Sequence, residues 1–303
     1  MMSISAVTLS GYSLVRISGA ERTDFLQGQL TQDIDQVSNE QSELAGWASA
    51  KGRLLMVTQV MAWQESYYLP VPTDISAALI QRFRMFVLRA KVDVELSDLP
   101  VIGLLGLEAE KRQNIGGLIV DEKPDATAST DEICISRFIG DPSRAWLIGE
   151  EKRTRTIIDV ETLLQPDDKA WELSNIQAGL PVISQATSEA FVPQMVNLDL
   201  IGGINLTKGC YVGQEIVART QNLGRIKRRM YRFGANSTLS VVPGSNLYGP
   251  QTSRGKIVAT AKCDSGTELL AVIPIKESAT QWFADEDRRQ PLENLGLPYS
   301  IPE

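Results

Sequence analysis

Histidine is absent from this sequence of 303 residues. The side chain most often used near neutral pH as general base, proton shuttle or metal ligand is therefore missing. Ser-His-Asp triads, Cys-His pairs and histidine-bound zinc are excluded, and any catalysis has to run on carboxylates, lysine, cysteine or a bound cofactor. Cysteine is scarce too. Cys134, Cys210 and Cys263 are odd in number and far apart, which spells neither a disulfide framework nor a paired metal site and fits a reducing compartment. No run approaches the roughly 20 apolar residues that span a bilayer, and Met1 to Ser10 lacks the charged and apolar regions of a secretory signal. The expectation is a soluble, cytoplasmic protein with no membrane partner and no metal site. A formal net charge of -7 argues against a dedicated duplex-DNA binder.

What is present is enough apolar residue, 43% of the chain, for two or three cores. Tyr12 to Ser18 alternates as a strand, and Leu26, Leu30 and Ile34 then recur at helical spacing. Leu54 to Val60 has strand length. Ile75, Leu79, Phe83 and Phe86 form one helical stripe behind Asp74, the expected N-cap. Val92, Val94 and Leu96 alternate with Asp93 and Glu95 as a half-buried strand does. Residues 121–131 are polar with a proline and read as an exposed loop, Ala145 to Ile148 as a strand, and Lys152 to Leu164 as a helix. From about Arg225 onward, short apolar runs such as Lys256 to Ala261 and Leu269 to Ile273 are separated by Pro-Gly, Gly-Pro and Ser-Gly turns, the texture of a small β-barrel or sandwich. The fold class is α+β, with a boundary near residue 224: an α+β region over 1–224 and a β domain over 225–303.

The most unusual composition lies between Gly202 and Arg232. Gly202, Gly203, Gly209 and Gly213 allow tight turns and close backbone approach to a ligand, and Cys210 lies between two of them. A short helix is expected from Gln214 to Thr220. A thiol two residues from Lys208 and ahead of a helix N-terminus has reason to favour the thiolate; the alternative is a small, inert, buried residue, the reading preferred for Cys134 and Cys263. From 208 to 232, seven cations (Lys208, Arg219, Arg225, Lys227, Arg228, Arg229 and Arg232) face the single anion Glu215. A polyanionic small molecule such as a polyglutamylated cofactor suits this stretch, as does an RNA backbone, and so does a plain solvated surface.

The run KGCYVGQE, Lys208 to Glu215, resembles the signature of the YgfZ family. Its surroundings, FVPQMVNLDLIGGINLTKGCYVGQEIVAR from Phe191 to Arg219, are similar to that family's most recognisable block. SLVRISGAERTDFLQGQLTQDI (Ser13 to Ile34), LAGWASAKGRLL (Leu44 to Leu55) and NIQAGLPVI (Asn175 to Ile183) resemble further blocks in the family's order. The resemblance implies a fold like the glycine-cleavage T-protein: interlocked folate-binding α+β subdomains and a C-terminal β-barrel in a ring arrangement. It also implies tetrahydrofolate or a derivative as cofactor, and a role in assembly or repair of iron-sulfur enzymes, including those that thiomethylate tRNA. Partners would be iron-sulfur proteins or their assembly factors, with tRNA contact through Arg225–Arg232. By that resemblance Tyr12 and Trp171 occupy positions where aromatic rings contact folate. Gln177 stands where the T-protein has a pterin-holding glutamate, and Arg219 joins them as a cofactor-binding candidate. Cys210, Lys208 and Tyr211 are the candidate catalytic residues. Lys51 to Met56, where the T-protein carries an acidic pair, holds no carboxylate, so aminomethyl transfer is not expected. The alternatives to an accessory protein are a one-carbon transferase with an unknown acceptor and a tRNA-binding scaffold.

Overall fold

A computed structural model describes residues 4–161, 163, 164, 168–222 and 226–302. The chain divides into two units, each discontinuous in sequence. One holds Met1–Ala45, Thr58–Asp168 and Thr207–Tyr211, and the other holds Gly46–Val57, Lys169–Leu206 and Val212–Glu303. The boundary expected near residue 224 falls on residues outside the described ones.

In the first unit a six-stranded sheet runs in the order β10 (Thr127–Ser129), β11 (Ile133–Phe138), β12 (Asp141–Gly149), β7 (Val101–Leu105), β1 (Ser5–Thr8), β13 (Leu163–Leu164). All neighbours are antiparallel except β1 and β13. Its core gathers Ala6, Ile102, Leu104, Ile135 and Leu147, together with Ile157 and Ile158 of helix α3 (Glu151–Glu161). A second sheet has five strands in the order β3 (Glu43–Ala48), β4 (Leu54–Trp63), β5 (Ser66–Pro72), β2 (Tyr12–Ser18), β6 (Asp93–Ser97), and β3 and β4 each carry residues of both units. Helices α1 (Arg22–Gln27) and α2 (Thr73–Val87) accompany it, and β8 (Gln113–Ile115) and β9 (Leu118–Val120) form a separate hairpin.

Several expectations change in detail. Ile75, Leu79 and Phe83 are the buried stripe of α2, but Phe86 leaves it. Asp74 sits inside the first turn, Pro72 occupies the cap position and no side chain caps the helix. The polar loop at 121–131 contains β10, which exists because Thr127–Ser129 finds Cys134–Ser136 across the ladder. The helix expected to reach Leu164 stops at Glu161, and Leu163 and Leu164 pair with Ser5 and Ala6 instead. Helix α1 has six residues rather than running on to Ile34, although Leu26, Leu30 and Ile34 are all buried.

The second unit contains α4 (Lys169–Gln177), α5 (Gln214–Asn222) and a closed barrel. Around the barrel the order is β14 (Arg228–Ala235), β17 (Gly266–Pro274), β16 (Arg254–Cys263), β15 (Asn246–Tyr248), β18 (Trp282–Phe283), β19 (Pro291–Asn294). All its pairings are antiparallel. Closure leaves no strand edge to template aggregation. Phe233, Leu247, Ile257, Leu269, Ala271, Ile273 and Trp282 fill the interior. Among the described residues no helix is long and apolar enough to cross a membrane.

Candidate functional site

Lys208 is the anchor of the glycine-bracketed loop. Its buried Nζ donates to the carbonyls of Gln27 at 2.8 Å, Leu30 at 2.9 Å and Gln32 at 2.6 Å. Three carbonyls match the three N-H bonds of an ammonium. The physical reason α1 ends early is visible here: the carbonyls of Gln27, Leu30 and Gln32 are taken up by the lysine and not by N-H groups of a further helical turn. The Gln27 side chain braces the turn, accepting from the Ile34 N-H at 2.8 Å and donating to Asp33 at 2.7 Å. Burial pushes the Lys208 ammonium down to about 8, while the carboxylates of Asp33 and Asp35 pull the other way. The ammonium lies 5.4 Å from the centre of the Tyr211 ring, within cation-π range. Tyr211 is buried, its hydroxyl has no hydrogen-bond partner among the described residues, and burial pushes it up to about 12.

Between these two buried residues Cys210 is exposed as a free thiol. Cys134, inside β11, is buried and its thiol is pushed up to about 12, and Cys263 is partly covered. The glycines around Cys210 differ in kind. Gly213 has φ +81°, and a Cβ there would fall on the Ser49 carbonyl and the Gly52 backbone. Gly209 lies outside the left-handed region, and a Cβ on it would meet nothing within 4 Å. Gly213→Ala is therefore expected to lower stability by at least about 1 kcal/mol, and Gly209→Ala to stay within about 0.5 kcal/mol of wild type in denaturant unfolding. Loss of cellular function in a normally folded Gly209→Ala protein would mean that an approaching molecule needs the space beside the thiol; retained function would mean that it does not.

Among the other candidates, Tyr12 is half-buried at the start of β2. Its ring packs edge-on against Trp146 with centroids 5.5 Å apart, in a cluster with Phe138 and the buried Arg144, which pairs with half-buried Asp141. Trp171 is fully buried in α4. Gln177, at the end of α4, is exposed, and its amide donates at 3.5 Å to Glu268, which pairs with Arg232 at 2.8 Å. Arg219 is exposed in the last turn of α5. The structure brings Lys208 and Tyr211 together in the first unit, and Gln177, Glu268 and Arg232 in the second.

Sequence reasoning missed two sets of partners. The carbonyls that hold Lys208 carry no residue identity, so nothing in the sequence marks them. The basic stretch proves to be largely committed inside the fold: Arg229 is buried in a two-pronged ion pair with Asp199, one arm at 2.8 Å, and Arg232 is tied to Glu268. Arg228 donates to the Arg254 carbonyl, while Lys227 is exposed. Arg225 lies outside the described residues.

No family model matches the chain. Individual proteins do. The chain is 28% identical to a protein of Colwellia psychrerythraea named "tRNA-modifying protein YgfZ", over 97% of this chain and 93% of that one. A protein of the same name from Klebsiella pneumoniae is 29% identical, over 99% and 94%. By sequence the chain is similar to proteins of that name along nearly all of its length. An uncharacterized protein of Haemophilus influenzae is 29% identical over 98% of this chain and 99% of its own. In structure the chain is similar to the glycine cleavage system aminomethyltransferase T from Bartonella henselae. The TM-score is 0.78 over 98% of this chain and 86% of that one, at 15% identity. The mixed α+β architecture with its C-terminal six-stranded barrel is thus the T-protein fold.

Proposed function

We propose that this chain is a folate-binding accessory protein that supports assembly or repair of iron-sulfur enzymes, among them enzymes that thiomethylate tRNA, with the Cys210 thiol as its acting group. The observation that carries this reading is an exposed thiol displayed between two buried residues, with its loop pinned at Lys208 by three main-chain carbonyls. A thiol presented on a fixed base is arranged for encounter, whereas Cys134 is sealed in a strand. Similarity to proteins named for tRNA modification supports the cellular setting, and the T-protein fold supports the ligand class.

The residues suit a reduced folate in part. Taken singly, in the first unit the half-buried Tyr12 ring offers an aromatic surface; in the second, the exposed Gln177 amide offers a hydrogen-bonding group and the exposed Arg219 guanidinium a partner for glutamyl carboxylates. Trp171 offers no exposed face, so its contribution is as part of the α4 framework. When bound, the folate supplies a one-carbon carrier. Aminomethyl transfer is not part of the reading: the turn Lys51-Gly52-Arg53, closed by a Gly52 N-H to Ser49 carbonyl bond of 2.8 Å, has no acid, and acid-base catalysis contributes roughly 100- to 10,000-fold where present.

Titration with tetrahydrofolate is expected to change tryptophan emission saturably; an unchanged signal, with no heat of binding by calorimetry, would remove the ligand from the proposal. Cys210→Ala is expected to keep the unfolding midpoint of the wild type and fail to restore iron-sulfur enzyme activity in cells lacking the protein. Full rescue would take the thiol out of the mechanism.

A further inference from the structure

The C-terminal end of α2 shows large apolar side chains to solvent. Leu88 is 87% exposed, Met85 66% and Phe86 39%, and Leu96 on β6, the strand against which α2 packs, is 52% exposed. Such groupings mark interaction sites more often than chance surface. Leu88 adds an independent sign. It closes the helix at φ 48°, ψ -100°, a backbone conformation that L residues other than glycine hold at a cost of about 1–3 kcal/mol. Glycine would close the helix without that cost, yet a leucine stands there with its side chain in water.

The prominence is held rigidly. The Ala90 N-H bonds to the Val87 carbonyl at 2.8 Å, the Lys91 N-H to the Glu21 carboxylate at 2.6 Å, and Arg84 Nε to the Val94 carbonyl at 2.9 Å. Exposed Arg84, Arg89 and Lys91 surround it with positive charge. On the flank, Glu95 is paired with Arg16 at 2.9 Å, which leaves Asp93 as the exposed acid of β6 outside that pair. Beside it lies a groove of about 530 Å³ lined by Arg16, Ser18, Arg84, Val87 and Val92 to Glu95. In the sheet order β6 is an edge strand.

We infer that this tip is a docking surface for a different protein, one that offers an apolar pocket rimmed by carboxylates. Charge selects among occupants. A second copy meeting the same patch across a two-fold axis would set Arg84, Arg89 and Lys91 against their own like charges. A flat bilayer would leave the groove unfilled, and an RNA backbone has no apolar surface with which to cover Met85, Phe86, Leu88 and Leu96. A protein surface fills both the groove and the space around the leucine. Met, aromatic and Arg side chains are the types enriched where proteins meet.

The test places a photo-cross-linking phenylalanine analogue at position 88 of the full chain in cells, with the same analogue at Val242, also largely exposed, as control. Expected is a discrete adduct with one other protein from position 88 and none from 242. That protein, purified, binds the wild-type chain saturably and at least tenfold more weakly with Leu88→Gly or Arg89→Glu. Leu88→Gly relieves the strained φ, so its unfolding midpoint is expected to equal or exceed that of wild type. The proposal is overturned by no discrete adduct, by the same adduct from both positions, by an adduct of two copies of this chain, by cross-linking to lipid or RNA, or by affinity unchanged in both variants.

Discussion

Replacing Lys208 by methionine is expected to lower stability by about 2–4 kcal/mol at neutral pH. The substitution leaves the carbonyls of Gln27, Leu30 and Gln32 aimed at a thioether stem, and a buried acceptor deprived of its donor costs about 1–3 kcal/mol. The relief of burying a charge offsets part of that sum. Because the same lysine holds the base of the loop, Cys210 in the variant should react with a disulfide reagent at a rate different from wild type, while Cys134 stays unreactive in both. The titration of Lys208 gives the effect a sign in pH. Its folded value near 8 lies below the ordinary 10.5, so between these two pH values the unfolded chain binds more protons than the folded one. Stability then rises with pH. The advantage of wild type over Lys208→Met is expected to widen as pH goes from about 8 to 10.5, and below 8 the full cost of the buried charge is present. Urea unfolding of both proteins at pH 7.5 and 9.5 measures this, and a gap that narrows would refute it.

The second large effect is at Asp199. Asp199→Ala strands the Arg229 guanidinium in the interior, with its arm to the Gln194 carbonyl at 2.7 Å still in place but both carboxylate contacts gone. Removing one member of a buried pair costs about 3–5 kcal/mol, and the midpoint should fall accordingly. Replacing both members, Asp199→Leu with Arg229→Met, is expected to recover most of the loss, since an apolar pair of similar volume carries no stranded charge. If the single and double variants were equally unstable, the pair would be a packing element and not an electrostatic one. The same pairing bears on RNA: with Arg229 and Arg232 held by Asp199 and Glu268, the described residues of the stretch have few charges left to exchange for phosphate, and any tRNA affinity carried by them should fall only shallowly with salt.

Periodicity in the sequence located what depends on neighbours a few residues away. The buried stripe of α2, the strands β2 and β4, the helix after Gly213 and the barrel strands β16 and β17 were all legible, because side-chain alternation and helical spacing are local properties. The glycine-bracketed cysteine was legible for the same reason, as a composition met nowhere else in the chain. Boundaries that long-range pairing sets were not: β10 inside a polar loop, and Leu163-Leu164 leaving a helix to pair with Ser5-Ala6.

The sequence by itself determined that histidine chemistry is excluded, that the fold is α+β with a β-rich C-terminal part, and that Lys208 to Glu215 brackets a cysteine with glycines beside a lysine. Only the tertiary structure decided which of its charges and thiols face outward. It buried Lys208 and Arg229, left Cys210 in solvent, sealed Cys134 in a strand and set Leu88 on the surface. The reason is that a charge or an apolar group is disposed of by whatever the fold brings to it. Lys208 meets carbonyls some 180 positions earlier in the chain, and no local pattern encodes such a meeting.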